Sequence, residues 1–301
     1  MPPPIEVIVN AGSGSVEPQE IKRRLAELFD ENGVEANIHL AKTGEDVREL
    51  AKSAAEGSAE IIVAGGGDGT IGAVAAEAIK SNKTLGILPL GTFNNFSKDL
   101  QIPQNLEEAF RIIAENHTRT IDVGEVNGHI FVNNSSIGLY PGIVRRRERR
   151  QRLGWGKWRS ALWAAWKILK RSPFFAVRLE TEKDKRVVKT PFVFVGNNEY
   201  EMDFLNIGRR ARLDDGKLSV YFLYRSGRKG LFLLALRTLF GRLRQTKDFE
   251  EISAKEITIE TRKTRVLVAF DGEVKTLETP LCYKIHPKVL RVIAPKEENE
   301  S

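Results

Sequence analysis

Short apolar runs alternate with helical patterns over the first 120 residues, and this alternation limits the fold more than any other feature of the chain. I-E-V-I-V at residues 5–9 predicts a strand. Residues 18–33 predict a helix with Ile21, Leu25 and Leu28 on one face, Pro18 at its start and Gly33 just past its end. V-E-A-N-I-H-L predicts a second strand and E-D-V-R-E-L-A-K-S-A-A-E-G a second helix; I-I-V-A, T-I-G-A-V-A-A-E-A-I-K and L-G-I-L continue as strand, helix and strand. This spacing predicts a doubly wound parallel sheet with helices on both faces over residues 1–121. Such sheets bind ligands beyond the carboxyl ends of their strands.

After residue 121 the texture changes to strand-like runs joined by turn dipeptides. Asn127-Gly128 separates D-V-G-E-V from H-I-F-V-N-N, Asp215-Gly216 precedes K-L-S-V-Y-F-L-Y, and Asp271-Gly272 follows R-V-L-V-A-F. These dipeptides tolerate the positive φ of tight hairpins, so residues 122–295 predict a largely antiparallel β domain. Two helical insertions are expected in it, near 143–171 and 229–244, and residues 296–301 read as a disordered tail. Without a repeat or a low-complexity linker, the two domains are expected to pack closely around a cleft.

A chain of 301 residues with 41% hydrophobic content can bury sizeable cores. Its single cysteine, Cys282, excludes an internal disulfide, and no Cys or His stands at metal-ligand spacing from it, so a reducing, cytoplasmic setting is expected. The N-terminal apolar run is too short for a signal or a span, and G-L-F-L-L-A-L-R-T-L-F-G is interrupted by Arg237; an integral membrane protein is not expected. His39, His117, His129 and His286 are scattered and receive no role.

Residues 63–70, V-A-G-G-G-D-G-T, fall at the end of the third predicted strand. Glycine is costly inside regular structure, so a cluster marks backbone that needs positive φ or must let something come close. A tight turn explains one or two of these glycines, not four. The loop fits neither G-x-x-x-x-G-K-[S/T] nor G-x-G-x-x-G. It reads as a phosphate cradle, with Thr70 expected to cap a helix whose N-terminal end favours an anion. A carboxylate there, Asp68, makes chemical sense with Mg²⁺ between it and the phosphate, so the loop implies a nucleoside triphosphate and Mg²⁺ together. N-A-G-S-G-S (10–15) and L-P-L-G-T-F-N-N-F (88–96) follow the first and fourth strands and are expected to converge on the same sheet edge.

G-G-G-D-G-T, then L-P-L-G-T-F-N-N-F-S-K-D-L-Q-I-P, then L-D-D-G-K-L and F-D-G-E, in this order, resemble the diacylglycerol kinase catalytic-domain family of bacterial lipid kinases, related to sphingosine and ceramide kinases. The resemblance covers roughly residues 4–295. It implies a nucleotide-binding α/β domain, a C-terminal β-sandwich lipid-binding domain and a lipid kinase using ATP and Mg²⁺. Matched position by position, it implies ATP contacts at Asn10, Thr43, Gly66, Gly67, Asp68, Gly69, Thr70, Ile71, Gly72 and Thr92. It implies a proton acceptor at Asp271, with Glu273 beside it, and a metal site at Asp215 with Arg212 and Lys217 contributing carbonyl oxygens. On its residues alone, Asp271-Gly272 reads as a hairpin turn. The family usually has Asn where this chain has Gly72, and N-D-F where it has Asn94-Asn95-Phe96.

Residues 145–171 carry eleven Lys or Arg against one acid, Glu148, and all four tryptophans: Trp155, Trp158, Trp163 and Trp166. Trp favours the headgroup level of a bilayer and basic residues attract anionic lipid, so peripheral docking on the inner face of a membrane is expected. Residues 228–244 are amphipathic and basic too, and read as a second contact or as cover for the sheet. The expected partners are a lipid substrate such as diacylglycerol and an anionic membrane surface, with a homodimer left open and no nucleic acid. The competing readings are a kinase of ceramide or a sphingoid base, NAD kinase, which shares G-G-D-G-T, and a non-enzymatic nucleotide-regulated protein binding membrane or nucleic acid.

Overall fold

The computed structural model describes residues 4–12, 17–138, 174–182, 184–200, 210, 212–223 and 249–296. The insertions expected near 143–171 and 229–244 and the tail beyond Lys296 lie outside the described residues. The chain divides into two compact units, one made of the residues up to Val123 with those from His286 onward, the other of Gly124–Ile285.

In the first unit the alternation is present as β1 (Ile5–Asn10), α1 (Pro18–Glu31), β2 (Ala36–Ala41), α2 (Gly44–Glu56), β3 (Ile61–Gly66), α3 (Asp68–Lys80) and β4 (Thr84–Pro89), followed by α4 (Asn95–Asp99) and α5 (Leu106–Glu115). The strands are parallel in the order β2-β1-β3-β4. Consecutive residues Val7, Ile8 and Val9 of β1 are all fully buried, as are Ile62, Val63 and Ala64 of β3, so both faces of the sheet are covered. α1 buries Ile21, Leu25, Leu28 and Phe29; Glu17 caps it through the N–H groups of Gln19 and Glu20, with Pro18 in its first turn. Gly33, at φ +64°, turns the chain back just past its end.

The second unit is a sandwich of two sheets. One is antiparallel, in the order β12 (Phe249–Ala254), β11 (Leu218–Leu223), β10 (Phe192–Asn197), β7 (Asn134–Gly138), β14 (Arg265–Phe270), β15 (Glu273–Glu278). The other runs from β16 (Leu281–Ile293) through β13 (Glu256–Thr261) and β8 (Phe175–Thr181) to β9 (Lys185–Thr190). Inward-facing residues of both, among them Ile137, Val195, Phe222 and Val268 from the first and Val177, Ile259, Leu281 and Tyr283 from the second, form one core. β5 (Thr118–Val126) and β6 (His129–Phe131) pair across the Asn127-Gly128 turn, and β14 and β15 across Asp271-Gly272; the four turn residues have φ of +46°, +79°, +46° and +86°. These are the two-residue hairpins that their sequences predict.

The expected domain of residues 122–295 differs from the observed units at its C-terminal end. β16 is one continuous strand, but its alternation of buried and exposed residues is interrupted over 286–289, where at Lys288 the backbone adopts φ +54° and its N–H is donated to the buried carboxylate of Asp122. Beyond this point Leu290, Val292 and Ile293 are buried in the first unit, and Val292 lies opposite Leu85 of β4 in parallel register.

Candidate functional site

Three loops meet at the carboxyl ends of β1, β3 and β4. From the first, Asn10 donates its side-chain amide to Thr70 Oγ1 at 2.9 Å and accepts the N–H of Gly12 at 3.0 Å. From the second, Asp68 accepts the backbone N–H groups of Asn95 at 3.2 Å and Phe96 at 2.9 Å, fastening the start of α3 to the start of α4. In the third, Asn94 holds a left-handed conformation at φ +52° and donates to Pro89 O at 2.9 Å and Gln104 Oε1 at 3.1 Å.

The glycines serve close approach. None from Gly65 to Gly72 has positive φ. A Cβ on Gly66 would lie 2.6–2.9 Å from the Thr70 side chain, and one on Gly91 would lie 2.3 Å from Gly67 Cα. The second and third loops thus touch backbone to backbone. Thr70 is not the cap of α3. Gly67 is the N-cap, with no side-chain hydrogen bond to the first turn, and Thr70 lies within the helix, its hydroxyl taken by Asn10. A glycine cap offers the first-turn N–H groups no side-chain acceptor, which leaves the positive end of a 13-residue helix suited to a phosphate oxygen.

Other expected nucleotide positions divide. Gly66, Gly67, Asp68 and Gly69 form the loop and the helix start, and Thr92 is exposed on the third loop. Ile71 is fully buried in the core, so its side chain serves packing. Gly72 lies in the second turn of α3. Thr43 caps α2 in a capping box: it accepts the N–H of Asp46 at 3.1 Å and donates its hydroxyl to Asp46 Oδ1 at 2.7 Å, and this bond holds the Asp46 carboxyl below the usual carboxylate range.

In the second unit, the Asp271 side chain is buried and accepts three backbone N–H groups, Val132 at 2.6 Å, Asn133 at 2.9 Å and Asn134 at 3.2 Å. An ionised carboxylate offers about four acceptor positions, so most of its capacity fixes its orientation against the bend between β6 and β7. Glu273 is half-buried and opens β15. His129, to which the sequence reading gave no role, stacks on Phe270 with ring centroids 5.5 Å apart; burial foremost, then Lys275, lowers its pKa below the ordinary imidazole value, against Glu273 and Glu125.

Arg212, Asp215 and Lys217 do come together, as ion pairs. Asp215 Oδ1 lies 3.2 Å from Arg212 Nε, whose hydrogen bond goes to Asp214, and Asp215 Oδ2 lies 3.6 Å from Lys217 Nζ, which also donates to Glu199 at 2.8 Å, the bond that chiefly raises the lysine pKa. The Lys217 carbonyl accepts the N–H of Asn198. Two cations of the chain therefore stand on the carboxylate that the resemblance gives to a metal, a poor fit for direct ligation by Asp215. Among the described residues no group of three or more His, Cys, Asp and Glu is placed to hold a metal ion.

Sequence reasoning missed the buried polar cluster beside Asp271, made of Arg210, Asn133, Asn197 and Tyr200. Its signal was present as a pair: F-V-N-N and V-G-N-N each end an apolar strand run in two asparagines.

Residues 4–126 match the family model described as Diacylglycerol kinase catalytic domain, and residues 140–294 that described as YegS C-terminal NAD kinase beta sandwich-like domain. A Diacylglycerol kinase of Bacillus subtilis (strain 168) is 35% identical over 133 residues, 42% of this chain and 43% of that protein. A Probable lipid kinase YegS-like of Yersinia enterocolitica is 36% identical over 126 residues, 40% of this chain and 42% of that protein. In both, the match spans less than half the relative's length. A Staphylococcus aureus Diacylglycerol kinase is 26% identical over 274 residues, 89% of this chain and 85% of that protein. Among solved structures, a putative diacylglycerol kinase from Bacillus anthracis str. Sterne has a TM-score of 0.76 over 97% of each chain at 24% identity, a likeness of fold. With one of the two models spanning more than half its length and the other the glycine-loop unit, the chain belongs to the diacylglycerol kinase and YegS-like family of lipid kinases.

Proposed function

We propose that the chain transfers the γ-phosphate of ATP to the hydroxyl of a neutral membrane lipid, diacylglycerol being the leading candidate. The observation that carries this reading is the helix start at Gly67, without a side-chain cap and ringed by three cross-tied loops. Its N–H groups and the glycine backbones bind and orient the triphosphate, supplying the positioning on which phosphoryl transfer chiefly depends. Mg²⁺, where bound, neutralises charge on the phosphates, and Asp68 is the carboxylate of the cradle that would hold it, directly or through water. Asp271, oriented by three N–H groups, takes the proton of the lipid hydroxyl as the oxygen attacks phosphorus.

The lipid acceptor is supported by the names of the relatives and by the basic, tryptophan-rich stretch 145–171, which on this reading docks on anionic membrane from the cytoplasmic side. No helix among the described residues is long and apolar enough to cross a membrane. The test is incubation with labelled ATP and Mg²⁺ against diacylglycerol, ceramide and a sphingoid base in mixed micelles, with NAD as a soluble acceptor. Label in a lipid product is expected; label in NAD alone would overturn the assignment.

A further inference from the structure

The cluster missed by the sequence reading and the proposed base grip the same short segment from opposite sides. Asp271 accepts the N–H groups of Val132, Asn133 and Asn134. On the carbonyl side, Arg210 donates to Val132 O at 2.7 Å, to Asn197 O at 3.1 Å and to Asn133 Oδ1 at 2.9 Å. Asn197 adds its side-chain amide to Val132 O at 2.9 Å and its backbone N–H to Asn133 O at 2.9 Å, and the Tyr200 hydroxyl donates to Asn133 O at 2.9 Å. The peptide between Val132 and Asn133 therefore has a guanidinium on its oxygen and the Asp271 carboxylate on its nitrogen.

Arg210 is only 4% exposed, and burying a guanidinium is costly unless it is paired or well hydrogen-bonded. Packing alone would be served by an apolar residue of similar volume. Its fork is held in one orientation by two carbonyls, one amide oxygen and the face of Tyr200, whose ring centre lies 5.4 Å from the guanidinium carbon. A donor on a peptide oxygen polarises that peptide and strengthens its N–H as a donor, and hydrogen-bonded chains reinforce one another in a low-dielectric interior.

We infer that Arg210 is a positioning residue for phosphoryl transfer: through the Val132–Asn133 peptide it fixes the orientation and charge of the Asp271 carboxylate that receives the lipid hydroxyl's proton. The inference rests on the reading of Asp271 as the base. Arg210 touches no reacting atom in this scheme, and its influence passes wholly through Asp271. A merely structural arginine would change stability, and its effect on turnover would not depend on whether residue 271 is ionisable.

The experiment is a double-mutant cycle on the full chain, with labelled ATP and diacylglycerol micelles and thermal melting recorded for every variant. Arg210→Met in the otherwise unaltered protein is expected to lower kcat at least tenfold with KM for ATP within twofold. In the Asp271→Asn background the same change is expected to alter kcat less than threefold. Arg210→Lys, which keeps a cation but loses the fork, is expected to fall between; if the Met variant does not fold, the Lys variant carries the cycle. Equal losses in both backgrounds, or unchanged kcat in a folded Arg210 variant, overturn the positioning role and leave Asp271 in place. Near-normal kcat for Asp271→Asn alone overturns the base assignment, and the positioning role falls with it.

Discussion

Gly91→Ala is the substitution for which the structure gives the sharpest expectation. The added Cβ would lie 2.3 Å from Gly67 Cα, 2.8 Å from Gly67 N and 2.7 Å from Asn94 Oδ1, where carbon contacts normally settle at about 3.5–4.0 Å. Two of the three atoms are backbone, and Asn94 is fixed by its own bonds to Pro89 and Gln104. The second and third loops must then separate by about 1 Å or more, which carries the bonds from Asn95 and Phe96 to Asp68, now 3.2 and 2.9 Å, beyond useful length. Overpacking costs about 1–3 kcal/mol and each of the two lost bonds about 0.5–1.5 kcal/mol, so the loss in stability is expected at about 2–6 kcal/mol, or roughly 4–24 °C in Tm at about 2–4 °C per kcal/mol. ATP affinity, measured by calorimetric titration, should fall at least tenfold because the phosphate-facing loop has moved. Gly33→Ala is the control: its φ of +64° strains an alanine by about 1–2 kcal/mol, but nothing lies within 4 Å of the new methyl, and ATP binding should not change. A Gly91→Ala protein that melts within a degree of the parent and binds ATP normally would refute the claim that the loops are held in backbone contact.

What was legible in the sequence was what local pattern determines. Alternation located β1 to β4 and the helices between them, and the Asn-Gly and Asp-Gly turns located two hairpins, because period and turn chemistry act within a few residues. The glycine cluster announced a special site, yet its two physical explanations look alike on paper. The structure uses close approach and not positive φ, a distinction that depends on Gly67 meeting Gly91 across 24 positions. The start of α3 was misplaced for a related reason: Thr70 is a good cap by type, but its hydroxyl is claimed by Asn10, 60 residues away. α4 has five residues, too few to show a period, and is fastened by Asp68 from outside itself. α5 carries its own local signals, with Asn105 capping and Ala109, Phe110 and Ile113 on one face. The Asp271 environment was the least accessible. Arg210 looks like one more cation in a basic chain until the fold brings it 2.7 Å from Val132 O.

Asp271→Asn replaces one acceptor oxygen by an NH₂ group facing backbone N–H donors, so it should lower Tm while reducing kcat by roughly 10² or more with ATP binding retained; a folded variant turning over normally would remove the base. Asp68→Ala leaves the N–H groups of Asn95 and Phe96 without that acceptor and should cost about 1–3 kcal/mol in denaturant unfolding while raising the Mg²⁺ needed for turnover; the same melting loss with an unchanged Mg²⁺ dependence would assign the residue to structure alone. Binding to anionic vesicles should weaken with salt but persist in part, and replacing Trp155, Trp158, Trp163 and Trp166 by Ala should lower it even at high salt; a folded parent that sediments with no vesicle would exclude membrane docking. The pH dependence follows from His129, whose pKa in the fold is lowered, first by burial and then by Lys275, against Glu273 and Glu125. An unfolded histidine titrates at about 6.5. Above that value both states are neutral and the half-buried ring contributes its full stabilisation; as pH falls below it the unfolded chain takes up the proton first, and stability is lost down to the lower folded value. His129→Phe keeps a ring on Phe270 and removes the titration. Because every other ionisable group is common to both proteins, the informative quantity is the difference in Tm between parent and variant, which should move against the parent between pH 7.5 and 5.5; parallel curves across that range would mean that His129 is as easily protonated in the fold as out of it.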